Sequence, residues 1–179
     1  KQFALGGNAA AYGASTDSGV GWAYRADNGF AVSSNVVSKQ NGSTKGFLTN
    51  EASTSFATQV GLTKPQYSVS AIVNMKYNGW TDGYFSTDAG KARMSNSTNV
   101  GLRGWWRPEQ SGTATPEITL GYDFSEGSGA GYALEGTDMY FVGLSWLDMF
   151  QADDRIGIAL GQPQTRETES GVSPFAWEA

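Results

Sequence analysis

Hydrophobic residues occupy every second position in most segments of the chain, and the pattern is clearest in residues 136–164. Two alternating runs follow each other there, from Val142 to Trp146 and from Ile156 to Leu160, with a short polar turn between them. Because successive side chains of a β-strand point to opposite faces, a period of two indicates strands rather than helices. The two runs therefore predict a β-hairpin with one apolar face and one face of small and polar residues.

The same period recurs from end to end, and no stretch of ten or more residues has a convincing helical period. The predicted strands are 3–12, 20–26, 29–37, 53–62, 67–77, 99–106, 117–124, the two runs of the hairpin, and a tenth that begins in 174–179. We therefore expect an all-β, antiparallel fold, with residues 1–179 forming part of a single barrel domain.

The connections between the predicted strands alternate between long and short. The long ones are 13–19, 38–52, 78–98, 125–137 and 162–173, and the short ones are 26–29, 63–66, 107–116 and 150–154. The first short connection contains Asn28-Gly29, which favours a tight type I′ turn. Long loops at one end of the strands and short turns at the other are typical of a transmembrane β-barrel of the outer-membrane type.

Aromatic residues on the apolar face are concentrated near the strand ends. Tyr67 and Tyr77 lie at opposite ends of one predicted strand, with Val69, Ala71 and Val73 between them. Amphipathic rings prefer the interface between membrane and water, so this arrangement predicts two aromatic girdles. In lipid every backbone N–H and C=O must be paired within the protein, so we expect the sheet to close into a barrel.

The opposite face carries amide side chains and charges of both signs, and we expect it to line a water-filled lumen. The candidate pore-lining residues, assigned by alternation, are Arg25, Gln59, Asn74, Lys76, Arg103, Glu117, Asp123 and Arg155. Charges along a pore select ions and orient polar solutes. Charge reversal at Arg103 is therefore expected to change ion selectivity without unfolding the barrel.

Composition removes several other classes of function. The 179 residues include no Cys and no His, which excludes thiol chemistry and removes the commonest general base and metal ligand. We therefore predict no enzyme, no catalytic residue, no metal site and no cofactor. A net charge of −5 argues against a nucleic-acid partner. No apolar run reaches the roughly 18 residues of a membrane helix, whereas a spanning strand needs only about 9–11.

Two groups of loop residues are candidates for specific roles. Trp80, Tyr84 and Phe85 lie in the longest predicted loop, where they either narrow the channel and contact solutes or pack loop against loop or a neighbouring protomer. Asp153 and Asp154 are adjacent in a short turn, where Asp commonly forms local hydrogen bonds rather than a catalytic or metal-binding pair.

The last third of the chain resembles a known family. The segment VGLSWLDMF, the following turn and the segment RIGIALGQPQ are similar to a hairpin of cyanobacterial outer-membrane porins of the carbohydrate-selective (OprB-type) family. The segment SPFAWEA resembles the start of the next strand in that family. The resemblance implies a homotrimer of barrels of about sixteen strands, of which this chain is a fragment. It also implies outer-membrane lipid as a partner and passive diffusion of ions and small polar solutes, including sugars.

An alternative hypothesis places the same alternation in a soluble β-sandwich adhesin or glycan-binding module. Its exposed Trp and Tyr residues would then serve as stacking platforms. A third hypothesis is a small-barrel outer-membrane enzyme or adhesion protein, and it requires a catalytic group that the sequence does not offer.

Overall fold

The computed structural model describes residues 18–39, 52–77, 96–129, 132–166 and 176–178. These segments contain nine β-strands and no helix. The strands are β1 (Ser18–Arg25), β2 (Phe30–Lys39), β3 (Ser53–Thr63), β4 (Tyr67–Tyr77), β5 (Asn96–Trp106), β6 (Glu117–Gly129), β7 (Tyr132–Leu147), β8 (Arg155–Arg166) and β9 (Ala176–Glu178). The all-β prediction is confirmed, and the predicted strand 3–12 lies outside the described residues.

All nine strands belong to one antiparallel sheet in which each strand pairs with its neighbours in sequence, from β1 to β9. Within the described residues β1 pairs only with β2 and β9 only with β8, so these two strands are the edges of the sheet. Every connection is thus a hairpin, which is the topology expected from strands joined without crossovers.

Three predicted connections differ from the structure. Residues 162–166 of the expected loop 162–173 belong to β8. The turn 26–29 is not of type I′, because Gly29 but not Asn28 has a positive φ.

Residues 125–137 were expected to form a long loop, but β6 and β7 continue through most of them, and Gly129 pairs with Tyr132. The ladder shifts register between Ser125 and Gly127, which marks a bulge in the extended hairpin. The segment is rich in Gly and Ser and therefore lacks a visible hydrophobic period, yet its backbone groups pair as those of any other strand do.

The short connections lie side by side at one end of the strands, and neighbouring turns are joined by hydrogen bonds. Gly29 accepts a hydrogen bond from the amide of Thr63 at 3.0 Å, and Gln66 accepts one from the amide of Arg107 at 2.8 Å. Gly29 has a φ of 90°, and a Cβ there would lie 2.0 Å from the carbonyl oxygen of Thr63. Glycine is therefore required at this turn.

The two faces of the sheet differ in composition and in burial. The apolar face is the exposed one: 58% of Trp22 and 59% of Leu160 is accessible. The polar face is the more buried one, and Asp123 and Asn99 are both 0% exposed. Within the described residues the buried hydrophobic side chains are few, and the largest fully buried ones are mostly polar. This distribution is the reverse of that in a soluble globular protein.

Candidate functional site: the polar face of the sheet

The strand register places all eight candidate pore-lining residues on the polar face. The row that contains two of them runs across the sheet through Arg25, Ala31, Gly61, Ser70, Arg103, Gly121, Phe141 and Gly161. We call this set the arginine row. Neighbouring strands lie about 4.8 Å apart, so Arg25 and Arg103, four strands apart, have backbones about 19 Å from each other.

The eight candidates differ in how far they reach solvent. Asn74, Lys76 and Asp123 are buried. Arg103 and Glu117 are half-buried, whereas Arg25, Gln59 and Arg155 are exposed. The alternation therefore assigns a face to each residue but not its accessibility, and the exposed and half-buried residues are those that a solute can contact directly.

Arg103 and Asp123 form a two-point ion pair at the centre of the face. Both guanidinium Nη atoms donate to the carboxylate, Nη1 to Oδ1 and Nη2 to Oδ2, the latter at 2.6 Å. The two residues are diagonal neighbours, because Arg103 lies directly opposite Gly121. Planar, bidentate pairing of this kind is the strongest form of charge-assisted hydrogen bond. The carboxylate is fully buried, so it depends on the guanidinium for its neutralisation.

Phe141 completes this centre, and its role was not predicted from the sequence. The Arg103 guanidinium carbon lies 5.3 Å from the centroid of the Phe141 ring, which is within cation–π range. Gly121 leaves room for the ring, since a Cβ there would lie 2.1 Å from Cε1 of Phe141. The available signal was an aromatic residue at a position of polar parity, opposite glycines on both neighbouring strands.

A second ion pair lies near the edge that carries the short turns. Arg155 of β8 reaches past β7 to Glu117 of β6, with Nη2 3.6 Å from Oε1. Both side chains are partly exposed to solvent, so this pair is weaker and more easily screened by salt than the Arg103–Asp123 pair. Two of the arginines predicted to line a pore are thus already paired with carboxylates of the same face.

Buried uncharged side chains on β3, β4 and β5 form a second group of polar contacts on this face. Ser55 Oγ donates to Asn74 Oδ1 at 2.7 Å. The side-chain nitrogen Nδ2 of Asn99 donates to the backbone carbonyl oxygen of Asn74 at 3.1 Å and to Ser97 Oγ at 3.0 Å. Hydrogen bonds of this kind make the burial of polar side chains tolerable.

The acidic turn 148–154 holds its own backbone. Asp154 accepts hydrogen bonds from the amides of Met149, Phe150 and Gln151 at 2.8, 3.0 and 3.1 Å. Asp148 Oδ1 accepts one from the amide of Asp153 at 2.8 Å. Hydrogen bonds from Ser111 and from this backbone amide lower the pKa of Asp148 from its ordinary value. The carboxylates of Asp148 and Asp154 therefore serve local hydrogen bonding.

Other candidate chemistry is limited. The part of the chain that the structure describes holds no group of three or more residues suited to a metal ion. Among the same residues, no helix is long and apolar enough to span a membrane. Trp80, Tyr84 and Phe85, the candidate constriction residues, lie outside the described residues.

Comparisons of the sequence with models of protein families, with curated proteins and with solved structures found no match.

Proposed function

We propose that the chain is part of an outer-membrane porin, a β-barrel that lets ions and small polar solutes, including sugars, diffuse passively through a water-filled lumen. One observation carries the proposal: the exposed face of the sheet is apolar, while the face that bears the ion pairs and amides is the more buried one. A large exposed apolar surface is costly in water and favourable in lipid. The alternative β-sandwich needs a second sheet over the apolar face, and all nine described strands belong to one sheet.

The position of the apolar stretch along each strand supports a membrane barrel. In β8 the stretch is centred on Ile158, and in β1 it is centred on Trp22. The row through Ile158 continues through Leu144, Ile118 and Trp106 to Tyr67, and the row through Trp22 continues through Ser34 and Thr58 to Val73. Tyr67 and Val73 are six residues apart on β4, so the apolar band crosses the pairing rows obliquely.

The size of this slant can be compared with the strand tilt of membrane barrels. Six residues correspond to about 20 Å along the strands, and the seven steps from β8 to β1 span about 34 Å across them. A displacement of about 20 Å over a width of about 34 Å corresponds to strands tilted by about 30° from the membrane normal. Strands of membrane barrels are tilted by about 35–45°.

The proposed mechanism is selection by pore size and by the charges of the lumen, without covalent chemistry. In this mechanism Arg25, Gln59 and Arg155 contact the passing solute. Asp123 fixes the position of the Arg103 guanidinium through two hydrogen bonds. Because two arginines are neutralised within the face, the proposed pore has a weaker positive field than its arginine count indicates.

The oligomer, the location and the label of sugar transport are part of the same proposal. We expect a homotrimer in a bacterial outer membrane. The resemblance of the last third of the chain favours a cyanobacterial porin. The mass of the detergent-solubilised complex, corrected for bound detergent, tests the trimer. A stable monomer that still conducts would remove the trimer and leave the channel.

The experiment that tests the channel is conductance of the full-length protein across a planar lipid bilayer. We expect stepwise increases of constant size and a reversal potential that changes with the salt gradient. A folded, membrane-inserted sample without conductance would contradict the proposed function.

Selectivity is tested best at Gln59 rather than at Arg103. Reversing the charge of Arg103 would place two acidic groups together against the buried Asp123 and would disturb the fold. Gln59 is exposed on the same face, so Gln59→Lys and Gln59→Glu add charges of opposite sign without breaking an ion pair. The two variants should shift the reversal potential in opposite directions. Identical potentials in both would place Gln59 outside the conduction path.

A further inference from the structure

A hollow of about 460 Å³ lies on the polar face at the short-turn end of β1–β4. Small residues of the arginine row, Ala31 and Gly61, form part of its floor. Arg25 stands at one side, and Ser33 and Gln59 line the hollow beside it. The volume falls within the range of small-molecule sites, which is about 300–1,000 Å³.

Arg25 differs from the other arginines of this part of the sheet. Arg103 is paired with Asp123, and Arg155 with Glu117. The Nε atom of Arg107 donates to the carbonyl oxygen of Pro65 at 2.8 Å. Among the described residues, no carboxylate lies within ion-pair distance of Arg25, and Arg25 is the only charged residue that lines the hollow.

The remaining polar groups of the hollow are uncharged. Thr63 Oγ1 and Ser68 Oγ share a hydrogen bond of 2.9 Å at its far side, and Ser70 lies next to Gly61 in the arginine row. Hydroxyl and amide groups can donate to an oxygen atom beside a guanidinium. A planar guanidinium matches the paired oxygens of a carboxylate or phosphate far better than a single round ion.

We propose that this hollow is a binding site for small oxygen-bearing anions, such as inorganic phosphate or a short carboxylate. Arg25 binds two oxygens of the anion, and the hydroxyls of the hollow donate to the others. Its place on a permeation path rests on the proposed function, whereas the binding itself does not. A porin with such a site would favour oxyanions over chloride of equal charge.

The test is titration of the folded, full-length protein in detergent with inorganic phosphate, followed by ³¹P line broadening and by calorimetry. Arg25→Gln is expected to weaken phosphate binding at least about tenfold, since it removes a charge-assisted pair of hydrogen bonds. Arg25→Lys keeps the charge but loses the planar fork, so it should lower the preference for phosphate over chloride. Ser70→Ala should weaken binding by about threefold, the effect of one uncharged hydrogen bond.

The matched control is Arg107→Gln, which removes an arginine from the same edge of the sheet but outside the hollow. This variant should bind phosphate as the unmodified protein does. Equal weakening in Arg25→Gln and Arg107→Gln would indicate general attraction to positive charge and would overturn the proposal. Absence of any phosphate signal from the folded protein would also overturn it.

The result can be separated from the fate of the proposed channel. Phosphate binding that depends on Arg25 in a protein without conductance would keep the anion site and reject the porin. Conductance without Arg25-dependent phosphate binding would keep the porin and reject the site. If Arg25→Gln fails to fold, as judged by loss of its β-sheet circular dichroism, Arg25→Lys and Ser70→Ala decide the question.

Discussion

The two faces of this sheet are made by alternate residues of the same strands, yet they obey opposite rules. On one face Trp22, Val69 and Leu160 are large, apolar and exposed. On the other, Asn99 and Asp123 are polar and fully buried. Burial in water-soluble proteins selects for apolar side chains because it removes their surface from water. Here that driving force would act on the wrong face, unless the exposed face is covered by something as apolar as itself.

The two faces also differ in the partners that cover their side chains. The polar face pairs many of its buried groups with its own hydrogen bonds and ion pairs, as Arg103 and Asp123 show, although Asn99 Oδ1 is buried without a partner among the described residues. The apolar face has no such internal partner within the described residues, since all nine strands lie in one sheet. In the proposed barrel, lipid would cover the apolar face, and water would contact the exposed part of the polar one.

The largest expected effect comes from removing the buried carboxylate of the polar face. Asp123→Ala removes the buried carboxylate to which both Nη atoms of Arg103 donate, and it should lower the free energy of unfolding by about 3 kcal/mol or more. Glu117→Ala breaks the partly exposed pair with Arg155 and should cost less than about 1 kcal/mol. Urea unfolding in detergent or lipid vesicles measures both. Equal costs would mean that burial does not distinguish the two ion pairs. The double variant Asp123→Ala/Arg103→Met should recover much of the loss, because it replaces both partners of the ion pair.

Adjacent residues of β3 provide the most direct contrast between the faces. Gln59 and Val60 are both exposed, but they point to opposite sides of the sheet. In a membrane, Val60→Arg should cost about 2–4 kcal/mol, the penalty for arginine near the middle of the bilayer. Gln59→Arg should change the stability by less than about 0.5 kcal/mol. Folding into lipid vesicles gives both values. If Val60→Arg is as harmless as Gln59→Arg, the apolar face is in water.

Two glycines on opposite faces sharpen the same comparison. Gly121 lies under the Phe141 ring, so Gly121→Ala must displace the ring from its place beside Arg103 and should cost about 1–2 kcal/mol. Gly104 lies on the apolar face, where the nearest atom to an added Cβ is 3.6 Å away. Gly104→Ala should therefore be neutral or slightly stabilising. Thermal unfolding in detergent measures both, and a larger loss for Gly104→Ala would contradict the packing described for the polar face.

The smallest effect concerns the turn 148–154, outside the strands of both faces. Folding lowers the pKa of Asp148 from 3.8, chiefly through the hydrogen bond with Ser111 and then through the amide of Asp153. A carboxyl with a lowered pKa contributes stability above its unfolded value and loses it as pH falls through the folded value. Unfolding should therefore become easier as pH falls below 3.8. Asp148→Asn should show less of this loss, and an unchanged pH dependence would show that the hydrogen bonds do not stabilise the turn.

The alternation of the sequence contained most of the fold. Period-two runs located β1–β5 to within a few residues, found β6, β7 and β8 but made them too short, and anticipated β9. Parity also put each candidate pore-lining residue on the polar face, because a strand's side chains alternate whatever lies beside it. The extension of β6 and β7 through residues 125–137 was missed, since Gly and Ser carry no hydrophobic period but pair through the backbone.

The alternation of the sequence did not predict which side chains on neighbouring strands contact each other. Parity says that Arg103 and Asp123 share a face, but only the register between β5 and β6 makes them diagonal neighbours. The same holds for Glu117 and Arg155, which are separated by a whole strand. The accessibility of Lys76 and Asn74 was likewise invisible, because burial depends on everything packed around a residue. Asp154 was anticipated as a hydrogen-bonding turn residue, since short acidic side chains commonly accept nearby backbone amides.

The central claim is that the exposed apolar face contacts lipid, and a scan of single cysteines along β4 tests it directly. The chain has no native Cys, so each substitution provides one labelling position. Cysteines at 69–73 would carry a fluorophore in protein folded into vesicles that contain a lipid-bound quencher. The account predicts strong quenching at Val69, Ala71 and Val73 and little at Ser70 and Ile72. Uniformly weak quenching, with water-soluble reagents reaching Val69, Ala71 and Val73 freely, would contradict it.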